Sequence, residues 1–217
     1  MIVTIDGPAG AGKSTVARAL ARRLGFRFLD TGAMYRAVAL AGLRAGLDWD
    51  RPDDLARLAL RVRLHLEGEQ VFLDGEDVSQ EIRTPEITAV TRYAADNPRI
   101  REHLVRLQRV LAGRENVVTE GRDQGTVAFP NAECKVFLTA GAEERARRRF
   151  EELRWKNEPV AFEQVLAAQR RRDAEDSTRP VGSLVPAPDA LEVCTDGLTV
   201  EQVVDRLEKI VKKRIAD

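Results

Sequence analysis

Gly7-Pro8-Ala9-Gly10-Ala11-Gly12-Lys13-Ser14-Thr15 is a glycine-rich run with the spacing Gly-x-x-x-x-Gly-Lys-Ser, which suits a polyphosphate. Glycines let the backbone wrap an anion closely and aim its N–H groups inward. Lys13 would set a positive charge at the outer oxygens of a nucleoside triphosphate, and the Ser14 hydroxyl would face Mg2+. A helix starting there would point its partial positive end at the same anion. A plain glycine turn is the alternative, and it needs neither a strand before nor a helix after.

Three further clusters carry charge suited to phosphate. Asp30-Thr31-Gly32-Ala33-Met34-Tyr35-Arg36 offers Arg36 as a guanidinium fork and Tyr35 as a surface for a base. A loop with a helix-capping aspartate is the plainer alternative. Glu120-Gly121-Arg122-Asp123-Gln124-Gly125-Thr126 offers Arg122 to phosphate and Asp123 to sugar or base donors, against a structural Arg–Asp pair. In Glu143–Glu152, Arg147 and Arg148 have acids four residues away on both sides. Arg145 and Arg149 stand four apart with no acid at that spacing, Glu152 at three residues from Arg149 being the one nearby relief, so an anion bridging them is expected; a bare exposed face is the alternative. Arg170-Arg171-Arg172-Asp173, Asp176 and Arg179 follow, with an internal Arg172–Asp176 bridge as the plainer reading.

The elements that must hold these residues are legible in outline. Ile2-Val3-Thr4-Ile5 reads as a strand running into the glycine turn, and Val16, Leu20 and Leu24 then share a helix face that Gly25 closes. Phe26–Leu29 reads as a second strand, completing a right-handed βαβ unit. Further strands are expected at 116–119, 134–138 and 191–195. Helices are expected from Asn97 (N-cap) and Pro98 onward, near 162–175 and near 200–213. Strands alternating with helices imply an α/β doubly wound sheet, whose ligands sit at the carboxyl ends of its strands. Residues 61–79 break the rhythm with period-two alternation and an Asp74-Gly75 hairpin signal, so an antiparallel meander is expected there as an insert. Asn157-Glu158-Pro159, between two basic helices, reads as a helix breaker in a mobile lid.

Composition narrows the classes. The chain has 217 residues, 43% hydrophobic and 32% charged, with formal net charge zero, which argues against disorder and against a general nucleic-acid binder. Arginine supplies 29 of the 35 basic residues, and guanidinium forks suit phosphate better than ammonium does, although a GC-rich or heat-adapted genome explains that count as well. No run approaches the roughly 18 apolar residues of a membrane span, and no leader pattern is present, so a soluble cytoplasmic protein is expected. Cys134 and Cys194 are expected to be reduced and buried, and His65 and His103 structural. Neither Asn-Lys-x-Asp nor Asp-x-x-Gly occurs, which argues against a GTPase. The strand at 116–119 does not end in the Asp-Glu of a motor ATPase, so a kinase for a small acceptor leads. A nucleotide-binding switch and a kinase for UMP or shikimate remain the rivals.

These residues resemble the bacterial cytidylate kinase family of nucleoside monophosphate kinases over almost the whole chain. The glycine run, Asp30–Arg36, Gly75-Glu76-Asp77-Val78 with Glu81-Ile82-Arg83-Thr84, Glu120–Thr126, Glu144–Arg149 and Leu184-Val185-Pro186-Ala187 carry the likeness. Two departures stand out: Glu120 replaces the family's usual aspartate, and Arg92 stands where a serine is frequent. The resemblance implies a five-stranded parallel sheet in the order 2-3-1-4-5 flanked by helices. It also implies a small antiparallel acceptor-binding insert at 61–97 and a lid at 148–164, within one kinase domain over 1–217. It implies ATP and Mg2+, with CMP or dCMP held by Thr31, Tyr35, Arg36, Arg101, Arg122, Asp123, Arg172, Asp176 and Arg179. Lys13, Arg122, Arg145 and Arg149 would neutralise the transferring phosphoryl group. A monomer without nucleic-acid or membrane partners is expected.

Overall fold

Ile2–Asp6 forms β1, Lys13–Leu24 α1, Arg27–Asp30 β2 and Thr31–Arg44 α2. Then come α3 (Pro52–Ala59), the short strands β3 (Leu64–Glu67), β4 (Gln70–Leu73) and β5 (Glu76–Asp77), α4 (Pro85–Ala95) and α5 (Pro98–Ala112). The rest is β6 (Val117–Gly121), β7 (Cys134–Thr139), α6 (Ala142–Trp155), α7 (Phe162–Thr178), β8 (Leu191–Cys194) and α8 (Val200–Ala216). The computed structural model describes residues 1–155, 159–179 and 181–216. The chain groups into two compact units, Met1–Phe26 with Asn116–Asp217, and Arg27–Glu115.

The large sheet runs β2-β6-β1-β7-β8, the 2-3-1-4-5 order implied by the resemblance. In the first unit β1 pairs in parallel with β6 and with β7, and β7 with β8. Such a sheet is covered on both faces, so its inner strands bury consecutive residues rather than alternate ones. Val3, Thr4, Ile5, Val117, Val118 and Thr119 are fully buried. Register sets Asp6 beside Gly121 and beside Phe137, so the carboxyl ends of three strands share one rim. Helix α1 buries Val16, Ala17, Leu20 and Ala21 and is closed by Gly25, as the spacing predicts. Among the described residues no helix is long and apolar enough to cross a membrane.

The second unit holds the expected meander as the antiparallel sheet β3-β4-β5. Asp74 and Gly75 both take positive φ, 52° and 93°, the backbone of the tight turn their dipeptide signals. Asn97 caps α5 by accepting from the N–H groups of Arg99 and Ile100, with Pro98 at the first helical position, again as expected. Met34, Leu40, Ile82, Ile87, Ile100 and Leu104 fill the core of this unit.

The helix-capping aspartate offered as the plainer alternative at 30–36 is present: Asp30 accepts from Ala33 N–H at 2.9 Å and caps α2, whose opening turns are Thr31–Arg36. One expectation is corrected. Cys134 is buried but Cys194 is exposed, because β8 ends the sheet and buries only Val193. Of the residues expected to form a lid at 148–164, 148–155 lie in the second half of α6 and 162–164 at the start of α7, with Phe150 edge-on to Phe162 at 5.9 Å. The Asn157-Glu158 part of the expected helix breaker lies outside the described residues.

Candidate active site

The glycine run joins β1 to α1 as its spacing predicts. Gly7 has φ 146°, and a Cβ there would lie 2.1 Å from the Leu138 carbonyl oxygen of β7, so only glycine fits. Gly12, at φ 88°, precedes α1, whose first turn carries no acidic residue to cancel its positive end. Lys13 is buried, and its Nζ donates to the Pro8 carbonyl at 2.8 Å. Burial, then the Arg122 charge, pushes the Lys13 pKa down to about 7, with Arg172 adding to that and Glu120 and Asp6 opposing it. The Ser14 hydroxyl donates to Glu120 Oε1 at 2.9 Å.

The ends of β1 and β6 form the second part. Asp6 is buried and accepts from the N–H groups of Gln124 (2.9 Å) and Gly125 (2.7 Å), pinning the turn after Asp123. Burial raises the Asp6 pKa to about 6 despite those two bonds, and the Asp123 charge works in the same direction. Arg122 Nε donates to Asp176 Oδ2 at 2.7 Å, and Arg179 Nη2 donates to Asp176 Oδ1 at 2.9 Å. Burial works to raise the Asp176 pKa, but Arg122, Arg179 and Arg172 outweigh it and hold the carboxyl below its usual range. One carboxylate thus orients two guanidinium groups in a site from which water is largely excluded. Arg172 is exposed on α7, although its charge is felt at both Lys13 and Asp176.

The expected pair of unpartnered arginines on α6 is corrected. Arg145 is buried, donates to the carbonyls of Ala140 (2.8 Å) and Ala9 (3.1 Å), and pairs with Asp173 of α7 at 2.8 Å. Arg149 is exposed and pairs with Glu152 at 2.7 Å. The partners of Arg145 lie on other elements, so the spacing within α6 could not show them. Arg147 pairs with Glu151 as the spacing predicts but takes Glu144 at three residues on its other side, and Arg148 pairs with the expected Glu144 while reaching Thr195.

In the second unit, Thr31 and Tyr35 lie one turn apart on α2 and are buried, and Arg36 is half-buried. Arg101 lies over the Tyr35 ring at 5.5 Å and donates to the Ala95 carbonyl at 2.9 Å. Arg83 approaches the capping Asp30 at 3.3 Å. Arg92 lies over the ring of its neighbour Tyr93, which stacks on Trp49 at 5.1 Å.

Four participants carry no assigned role in the sequence reading: Asp6, Glu120, Gln169 and Asp173. Asp6 ends β1 and Glu120 is the last residue but one of β6, the strand ends where functional carboxylates of α/β sheets collect. Gln169 and Asp173 continue the inward stripe of α7 from Val165, and a polar side chain on such a stripe is a usable signal. Among the described residues no group of three or more His, Cys, Asp or Glu could hold a metal. The Ser14 hydroxyl beside the Glu120 carboxylate is nevertheless a hard oxygen pair. It fits Mg2+, which binds through few protein oxygens while keeping water and substrate phosphates.

A model of the family described as Cytidylate kinase matches residues 3–213. A cytidylate kinase of Rhodopirellula baltica is 50% identical over 213 residues, covering 98% of this chain and 93% of its own. One of Mycobacterium avium is 50% identical over 219 residues, covering 99% and 96%. Among solved structures, a shikimate kinase of Bacteroides thetaiotaomicron aligns over 98% of both chains with a TM-score of 0.50 at 15% identity, a likeness of fold alone. An uncharacterised protein of Eubacterium ventriosum does so over 98% of both chains at 0.53 and 12%. With near-full-length identity of this order and a family match over the same span, the chain belongs to the cytidylate kinase family.

Proposed function

We propose that the chain transfers the γ-phosphoryl group of ATP to CMP or dCMP, giving ADP and CDP or dCDP, as a monomer in the cytoplasm. The observation that carries this reading is the Arg122–Asp176–Arg179 cluster, whose two cations are oriented by one buried carboxylate and of which Arg122 is felt electrostatically at Lys13. A phosphate monoester has a second pKa of about 6, so its attacking oxygen is already largely ionised at neutral pH and needs no base. That oxygen bonds to the γ-phosphorus while the bond to the β–γ bridging oxygen breaks and ADP leaves.

Residues 7–15 hold the donor phosphates. Arg122, Arg179 and Arg172 bind the acceptor phosphate, Asp123 accepts from its sugar or base, and Asp176 fixes the cations. Thr31, Tyr35, Arg36 and Arg101 bind the rest of the acceptor, and residues 61–97 form an acceptor-binding insert. Ser14 and Glu120 would hold Mg2+, which would supply charge neutralisation to the polyphosphate. Lys13 and Arg122 offset charge as the phosphoryl group moves, and Arg149 adds a cation from α6. Arg145 acts differently, because its Nε and Nη1 are engaged by backbone and by Asp173. The 148–164 segment excludes water.

The test is ADP release with Mg2+ and ATP across CMP, dCMP, UMP and shikimate. CMP and dCMP are expected to be the fastest acceptors. Preference for UMP or shikimate overturns the reading, and so does nucleotide binding without acceptor-dependent turnover.

A further inference from the structure

Gln169 lies far along the chain from the glycine run, yet its Nε2 donates to the Ala9 carbonyl at 2.8 Å. The same oxygen accepts from Arg145 Nη1 at 3.1 Å, and Gln169 and Arg145 both reach Asp173 Oδ1, at 3.4 and 2.9 Å. Gln169 is buried. Helix α6 also closes on the glycine run here, since a Cβ on Gly10 would lie 3.0 Å from that of Arg145.

This arrangement has a directional consequence. In a trans peptide the carbonyl and the following N–H point opposite ways, and no cis peptide is found among the described residues. Two donors from α6 and α7 hold the Ala9 oxygen on their side, so the Gly10 N–H faces away from them. We propose that Gln169 is a positioning residue for the donor nucleotide. By fixing the Ala9–Gly10 peptide plane against α7, it presets the Gly10 N–H toward the bound polyphosphate, with Asp173 orienting both donors. Arg145 supplies a charged donor to the same oxygen, but it also holds Ala140 and packs on Gly10; Gln169 serves the peptide plane more selectively. The proposal rests on the ATP-dependent reading above and deepens it on the donor side.

The experiment uses the full chain with Gln169→Leu, which keeps the bulk and removes the donor, and Gln169→Glu. Titration calorimetry measures ATP binding without acceptor, and steady-state assays give KM for ATP and for CMP separately. Gln169→Leu is expected to weaken ATP binding and raise KM for ATP about five- to tenfold, with KM for CMP unchanged. Gln169→Glu should bind ATP weakly at neutral pH and recover as pH falls, because a protonated carboxyl can donate to the Ala9 oxygen again. Unchanged ATP affinity in Gln169→Leu overturns the proposal, and so does an equal rise in both KM values. If Gln169→Leu fails to fold, the acid recovery of Gln169→Glu decides alone, and its absence is a refutation. Wild-type chain that binds ATP but makes no CDP defeats the proposed function and leaves the calorimetric test of Gln169 standing.

Discussion

The donor cradle and the arginine cluster are built by opposite means. The cradle is nearly all backbone: consecutive residues whose φ angles, peptide planes and helix start define an anion site, with Lys13 and Ser14 its main side chains. The Arg122–Asp176–Arg179 cluster is nearly all side chain, and joins the end of β6 to α7 across 54 residues. A contiguous backbone site can be read from a string of letters. A side-chain site exists only once the fold brings its parts together.

The contrast can be broken by substitution. The largest effect is expected for Lys13→Ala, which removes the cation beside the transferring group. Turnover should drop on the order of 10³-fold, while CMP affinity, measured by calorimetry, stays near wild type. An enzyme of equal rate would separate the cradle from the chemistry. Next comes Asp176→Ala, which leaves two guanidinium groups without their shared carboxylate in a buried site. Losing one partner of a buried pair costs about 3–5 kcal/mol. KM for CMP should rise at least about tenfold with KM for ATP little changed, and a change confined to ATP would erase the proposed division of labour.

A smaller effect sharpens the comparison where the two regions meet, at Asp6. Its pKa is raised to about 6 in the folded chain against 3.8 for an ordinary aspartate. Between those values the folded state binds the proton and the unfolded state does not. This group's contribution to stability therefore falls as pH rises through that window and stays low above it. Asp6→Asn lacks the titration. The stability difference between the variant and wild type, from urea unfolding, should shift in the variant's favour by about 2 kcal/mol from about pH 4.5 to 7.5. A pH-independent difference would show that Asp6 is not perturbed.

What the sequence disclosed follows the same division. Gly25, Asn97-Pro98 and Asp74-Gly75 carry their conformations locally, and each stands where its type predicts. The glycine run was legible for the same reason. Arg145 was misread because its acid, Asp173, lies 28 residues on, in a different helix. At Asp30–Arg36 the capping aspartate is legible but the length of the helix behind it is not, because Thr31 and Gly32 are poor helix formers that the apolar run from Ala33 overrides. The burial expected for Cys194 failed because an apolar segment does not reveal whether its strand is central or at an edge. Glu120 was noticed only as a departure from a family pattern. Its bond to Ser14 needs β6 beside β1, which no spacing encodes.

Gly7 and Gly12 look alike in the motif, but their surroundings differ. A Cβ on Gly12 would meet nothing within 4 Å, whereas one on Gly7 would collide with the β7 main chain. In a library screened only for cellular abundance, position 12 would therefore admit residues such as asparagine that tolerate its backbone angles. Position 7 would return glycine alone, whether or not the survivors could still handle a nucleotide. An invariant letter there records the thickness of a wall, and its persistence in a relative that had lost all chemistry would be no sign that the chemistry survives.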